Sequence, residues 1–314
     1  MPPADALLRP DPLPVERLLF DSPFLRVGSF RCPPAHTLFA DSGPIVNPIF
    51  VFPRTAVWIQ HDGRTPFLSD PTIATLYNRG QTYRRKPLSE SGDHCDWFAV
   101  APGVLKEIAA RRDARALDRP EGPFDQPQTA IDGRTYLFQR QLVETLRGDS
   151  PVDSLFIEES AVWLAAQVLD SAGDRAGSPP VRQSVSSRAA RLHRDHAEHA
   201  RQILVLCFGQ SYSLEELAHQ VGVSVFHLCR IFRRQTGLTL HEYRTELRLR
   251  HALERLPEPG TDLSQVALEV GFSSHSHFTA AFRRAFGITP SAFARRARRG
   301  GIRQPDASRI AIGP

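Results

Sequence analysis

Two clusters of arginine and short hydrogen-bonding side chains are the residues in this 314-residue chain best suited to recognising another molecule. The first holds Ser224, Phe226, His227, Cys229, Arg230, Arg233 and Arg234. The second, about fifty positions on, holds Ser273, Ser274, His275, Ser276, Thr279, Arg283 and Arg284. A guanidinium presents a planar fork of donors that matches either guanine O6 and N7 or phosphate oxygens. Hydroxyls and imidazoles reach base edges or phosphates, and Phe226 is either a wedge against thymine methyls or a packing residue. A second chemistry is open to Cys32, His36, His61, His94 and Cys95, since thiolate and imidazole suit zinc or a softer metal. Their spacing is irregular, and packing is the plainer reading. His193, His196 and His199 recur every third residue, which reads as a solvated helix face before it reads as a metal site.

The arginine clusters sit inside a repeat. Ser213-Leu-Glu-Glu-Leu-Ala-His-Gln-Val-Gly222-Val-Ser224 returns as Asp262-Leu-Ser-Gln-Val-Ala-Leu-Glu-Val-Gly271-Phe-Ser273, and Phe232-Arg233-Arg234 returns as Phe282-Arg283-Arg284. Such self-similarity marks a duplicated structural unit. Each copy reads as helix, glycine turn, helix. Ser213 with Glu216, and Asp262 with Gln265, have the spacing of capping boxes. Leu214, Leu217, Ala218 and Val221 form an apolar stripe, repeated as Leu263, Val266, Ala267 and Val270. The second helix of each copy then buries Leu228, Ile231 and Phe232, or Phe278, Ala281 and Phe282, and turns its polar clusters outward. Leu240 to Leu256 reads as a linking helix of roughly 25 Å, with Glu246 four residues before Arg250. Successive major grooves on one face of a duplex lie about 34 Å apart, a separation that two heads held by such a helix can serve.

The double helix-turn-helix, its Gly222-Val-Ser224 and Gly271-Phe-Ser273 turns and the closing Gly287-Ile-Thr-Pro290-Ser-Ala-Phe293 segment resemble the AraC/XylS family of bacterial transcription regulators. The resemblance covers about 100 residues and implies DNA contact through both recognition helices, with a sensing or dimerising domain ahead of them. In the second copy Ala280 stands where the first has Arg230, so the two heads are not equivalent readers. Arg230 is assigned to a base edge, and the repeated Arg233, Arg234, Arg283 and Arg284 to phosphate.

Composition fits two domains. Residues 188–314 carry 19 Arg against 11 acidic residues, while residues 1–187 carry 20 basic against 23 acidic, so the basic excess lies with the repeats, as a polyanionic partner favours. Lysine is confined to Lys86 and Lys106, so the arginine bias is chain-wide. Four cysteines without a CxxC pair suggest a reducing cytosol, and no signal-like or membrane-spanning run occurs, giving a cytoplasmic expectation.

Residues 1–14 are proline-rich. Short β-prone runs follow at 27–32, 45–52, 56–60, 72–77 and 96–100, with hairpin turns at Asp62-Gly63 and Asn78-Arg79-Gly80. In the context of the family resemblance they imply a cupin-like β-barrel, making the chain α+β with a cupin-like domain over 15–171. Helical patterns lie at 104–111, 135–147 and 154–171, the last covering the barrel or a second subunit. A Gly/Ser/Pro linker at 172–187, a DNA-binding domain at 188–300 beginning with a helix over 188–208, and a tail at 301–314 complete the layout.

The reading is a sequence-specific transcription regulator answering to a small-molecule effector in its N-terminal domain. Its partners are double-stranded DNA, the effector, a second copy in a homodimer and, for an activator, RNA polymerase; no cofactor or membrane is implied. The rivals are a cupin-type metal-dependent enzyme or metal sensor in the N-terminal half, and a constitutive DNA-binding protein. No GxGxxG, P-loop, GxSxG or HExxH is present, His241-Glu242 being followed by Thr245 at the second-ligand position, so an enzyme is not expected.

Overall fold

The structure, a computed structural model, describes residues 15–111, 122–148, 151–176, 187–258 and 260–298. The N-terminal half opens with nine strands: β1 (Glu16–Asp21), β2 (Leu25–Cys32), β3 (Asp41–Ser42), β4 (Ile49–Pro53), β5 (Val57–His61), β6 (Phe67–Ser69), β7 (Ile73–Tyr77), β8 (Tyr83–Pro87) and β9 (Asp93–Val100). Helix α1 (Pro102–Ala110), strand β10 (Gln128–Ala130), α2 (Gly133–Arg147) and α3 (Ser154–Ala176) follow. The strands form one six-stranded sheet, in the order β1-β2-β9-β4-β7-β10, and one four-stranded sheet, in the order β3-β8-β5-β6. The sheets do not close into a single barrel. Asp62-Gly63 turns β5 into β6 as a hairpin, whereas Asn78-Arg79-Gly80 carries the chain from one sheet to the other.

Side chains alternate across a strand with a period of two, and the large sheet uses both of its faces. From β4, β7 and β9, Val51, Pro53, Tyr77, Cys95, Trp97 and Ala99 line a cavity between the sheets. Phe50, Phe52, Ala74, Leu76, Phe98 and Val100 point the other way, into a core shared with the helices. There Phe50 stacks on Phe98 at 5.3 Å, and Phe52 meets both edge-on. Ile157, Ala161, Leu164, Ala165 and Val168 of α3 join the same core, so the apolar face of that helix covers the sheet.

The C-terminal half is helical: α4 (Ser187–Leu206), α5 (Leu214–Val221), α6 (Val225–Thr236), α7 (Leu240–Arg255), α8 (Leu263–Glu269), α9 (His275–Phe286) and α10 (Pro290–Arg298). The predicted linker at 172–187 lies mostly outside the described residues, α3 running to Ala176 and α4 starting at Ser187; residues 1–14 and the tail at 301–314 lie wholly outside them. Among the described residues no helix is long and apolar enough to cross a membrane.

Candidate nucleic-acid interface

Both helix-turn-helix units form, and each turn has a local cause. Ser213 and Glu216 make a full capping box at the start of α5. The second unit departs from the predicted box: Asp262 accepts from Ser264 N instead, and Gln265 donates to Glu269 at 2.9 Å. The short carboxylate satisfies the second free amide of the helix, which leaves the glutamine free to pair one turn along. Gly222 stops α5 at φ 79°, and Gly271 follows α8 at φ 92°. A Cβ at Gly271 would also come within 2.5 Å of Gly209 O, so that position is closed to other residues on two grounds.

Ser224 caps α6 by accepting from His227 N at 3.3 Å, and Ser274 caps α9 by accepting from His277 N at 3.2 Å. The extra residue of the second copy is therefore absorbed in the turn, and Ser274, not Ser273, corresponds to Ser224. Leu228, Ile231 and Phe232 of α6, and Phe278, Ala281 and Phe282 of α9, are buried. That packing turns the opposite faces outward. Phe226, Cys229, Arg230 and Arg233, at helical spacings of three and four, share one exposed face of α6, with Arg234 beside it. Phe226 is 78% exposed, so it packs into no core. His227 is half-buried, its ring 5.1 Å from that of His193.

The matching face of α9 is Ser276, Thr279, Ala280 and Arg283, with His275 and Arg284 alongside. All are exposed except Thr279, which is partly covered and lies 3.5 Å from His275 Nε2. One face thus presents an aromatic ring and two guanidinium groups, the other hydroxyls, a methyl and one guanidinium.

The metal candidates do not assemble. Cys32 and Cys95 are buried, and burial raises both thiols. His36 accepts from Leu38 N, while the His94 ring lies 3.2 Å from Arg54 and is lowered to about 3 by burial and then by that guanidinium. Among the described residues no three His, Cys, Asp or Glu side chains converge on a metal position.

Sequence reasoning missed how firmly these helices are fastened to the sheets. Arg201 of α4 and Tyr243 of α7 both donate to Asp70, which is fully buried; Tyr243 Oη lies 2.7 Å away. Burial pushes the Asp70 carboxyl up, but Arg201, Thr72 and Tyr243 outweigh it and hold it below its ordinary value. Arg250 of α7 pairs with Glu246 at 3.1 Å, as the spacing predicts, yet it is 2% exposed and donates to the carbonyls of Pro71 and Ile131. Glu254, also on α7, accepts from Arg54 and lies 3.4 Å from Arg140 Nε. The available signal was weak: Arg250 adjoins the stripe of Leu249, Ala252 and Leu253.

A helix-turn-helix domain family matches residues 217–296, spanning both units. Over 84 residues the chain is 37% identical to a probable transcription factor PqrA of Proteus vulgaris, covering 27% of this chain and 69% of that one. The chain belongs to the AraC/XylS family. Its AraC-type half is also 40% identical over 80 residues to the transcriptional regulator GlxA of Rhizobium meliloti, a match covering 26% of this chain and 25% of that one. A weaker likeness, 26% over 204 residues, extends to the activator RhaS of Escherichia coli, covering 65% of this chain and 59% of that one. Of the first relatives it matches, the chain spans about a quarter to a third of the length, 25% of GlxA and 35% of the Msm operon regulatory protein of Streptococcus mutans. Among solved structures, a Chromobacterium violaceum regulator with an AraC-type DNA-binding domain is similar at 30% identity and TM-score 0.32, over 34% of this chain and 96% of that one. ToxT of Vibrio cholerae is similar at 9% identity and TM-score 0.39, over 87% and 98%.

Proposed function

We propose that the protein is a sequence-specific transcription regulator whose two recognition helices, α6 and α9, enter successive major grooves of double-stranded DNA. The observation that carries this reading is the pair of outward faces, each fixed by a serine cap and a buried apolar side, on the half of the chain that holds the positive excess. Arg230 reads a base edge, while Arg233, Arg234, Arg283 and Arg284 meet phosphates. Ser224, Phe226, His227 and Cys229 of the first unit, and Ser273, Ser274, His275, Ser276 and Thr279 of the second, complete the contact surface.

The N-terminal domain, residues 15–171, serves as the sensing half. Two facing antiparallel sheets around a cavity of about 370 Å³ support a cupin-like reading of it, and the volume suits a small effector. A second copy in a homodimer doubles the DNA contacts through effective concentration, and an activator would also meet RNA polymerase. The test is selection of bound duplexes from a random library by the full-length protein, followed by titration of the winner at several salt concentrations. A recurring site with two separated blocks, bound with affinity that falls as salt rises, is the expected result. Recovery of no sequence above bulk DNA would overturn the reading.

A further inference from the structure

Strand β9 touches the cavity with one face and helices α2 and α3 of the N-terminal half with the other, and through them reaches α7. Asp93, Cys95, Trp97 and Ala99 line the cavity. The residues between them face the helices: Asp96 lies 3.1 Å from Arg147 Nη2 and 3.4 Å from Arg140 Nη1, and accepts from Gln139 at 3.1 Å. His94 holds Arg54 at two points, its carbonyl accepting from Arg54 N at 2.7 Å and its ring lying against the Arg54 guanidinium, and the same carbonyl accepts from Thr55 N at 3.2 Å. Arg54 and Arg140 then hold Glu254 near the end of α7, the helix that joins the two reading units.

This cluster is incompletely satisfied. Arg140 Nε lies 3.4 Å from Glu254 without hydrogen-bond geometry, and Gln139 Oε1 has no partner. Buried polar networks with missing partners are the ones a small displacement rearranges, because each lost contact is made in a low-dielectric setting. The cavity also limits what can occupy it. Phe30, Tyr77, Tyr83 and Trp97 offer ring faces and edges. Its buried charges cancel: Arg85 pairs with Asp93 at 2.8 Å and spends further N–H groups on the carbonyls of Leu38 and Phe39 and on Ser42. The other charged lining residues, Glu16 and Arg26, are exposed at the rim, Arg26 beside Asp21 at 3.4 Å. A charged ligand seated in the interior therefore leaves water without an unpaired buried counter-ion, whereas an uncharged ring gains stacking and apolar burial.

We propose that β9 transmits the signal: a small uncharged aromatic molecule between the sheets acts on Cys95 and Trp97, and through His94 and Asp96 changes the hold of Arg54 and Arg140 on Glu254, and so DNA affinity. This rests on the reading of the N-terminal domain as the sensing half.

The test uses the full-length protein and a selected duplex, with benzyl alcohol, benzoate and benzylammonium as probes of one size and three charges. Benzyl alcohol should raise the melting temperature by mass action and change Kd for the duplex by a factor of about ten, within the usual span of allosteric couplings. The two ions should do neither. In Glu254→Gln, and in Arg140→Lys as a second variant that keeps its charge, benzyl alcohol should still raise the melting temperature while the change in Kd shrinks several-fold. An undiminished Kd response in both variants, or stabilisation of the wild type without any Kd response, overturns transmission through Glu254. Equal stabilisation by benzoate, or none by benzyl alcohol, overturns the ligand class. Failure of the probe-free wild type to bind any duplex is a different result, and counts against the DNA-binding function itself.

Discussion

The two helix-turn-helix units share a backbone plan and differ in what they lean on. Leu217, Ala218, Val221, Leu228 and Phe232 of the first unit pack with Ala200, Leu204, Tyr243 and Leu247 in a core of their own, which touches the sheets through Ala56 and Leu68. Val266, Ala267, Phe278, Phe282 and Phe286 of the second unit belong to the core that also holds Phe50, Phe98 and the apolar face of α3. Gly133, at the start of α2, would carry a Cβ 3.0 Å from Ala285 O, so the second recognition helix lies directly on the N-terminal half. The two copies thus share their turn geometry, while the second packs into the core of the N-terminal half and the first keeps a separate cluster that meets the sheets at Ala56 and Leu68 and carries the longer outward side chain, Arg230.

That comparison predicts unequal losses from equivalent mutations. Phe282→Ala and Phe232→Ala should each cost about 3–5 kcal/mol, the usual range for a buried phenylalanine. Phe282→Ala should lower the unfolding midpoint seen at Trp163, which packs on Phe138 of α2, whereas Phe232→Ala should leave that signal closer to wild type. Equal shifts at Trp163 would mean that the two cores are energetically one.

A smaller effect separates the anchors. Asp70→Ala leaves the buried Arg201 with Glu198 as its one carboxylate and Tyr243 Oη without its acceptor, and should destabilise by about 3 kcal/mol, loosening the first unit. Hydrogen exchange would read this as faster exchange in α4 and α6 than in α9; uniform acceleration would contradict it.

Acidification gives a graded version of the same release. Burial raises the Glu254 carboxyl but Arg140 and Arg54 outweigh it, so it is held below its ordinary value, as is Asp70. Their contribution is present above about pH 4, the ordinary carboxylate range, and is lost as pH falls through the depressed folded values. Burial lowers His61 to about 4 and, with Arg54, His94 to about 3. The unfolded chain takes up protons at these imidazoles below about 6.5 while the folded chain does not, so stability should already decline between pH 6.5 and 4. Urea midpoints at pH 7.5, 5.5 and 4 should fall in that order; a flat profile would mean that these groups are hydrated.

The C-terminal half was legible because its rules are local. Caps at Ser213 and Ser224, glycines at positive φ and three-four apolar spacing fix each helix within a few residues of chain, and α5, α6, α8 and α9 lie where the repeat places them. The strands were legible in part: β2, β4, β5, β7 and β9 coincide with β-prone runs, while the exposed, charged β8 and the short β3, β6 and β10 carry no such signal. Their pairing into two sheets is non-local and leaves no periodic trace. Least visible was the joint between the halves, because Arg54, Arg201 and Arg250 look like solvated cations until the chain brings Glu254, Asp70 and two carbonyls to them. On the reading faces, sequence alone left Phe226 open between packing and exposure, and burial places it outside the core.

The most direct test of unequal reading heads is binding of the wild type and of Arg230→Ala to a panel of duplexes, each differing from the selected site at one base pair, at several salt concentrations. Arg230→Ala should cost about 1–3 kcal/mol and relax preference at one or two adjacent positions in one half of the site. Arg283→Ala, at the position of α9 that matches Arg233, should instead weaken all duplexes alike and reduce the salt slope by about one unit. If Arg230→Ala kept every base preference of the wild type and lost only salt dependence, the assignment of that residue to a base edge would be contradicted.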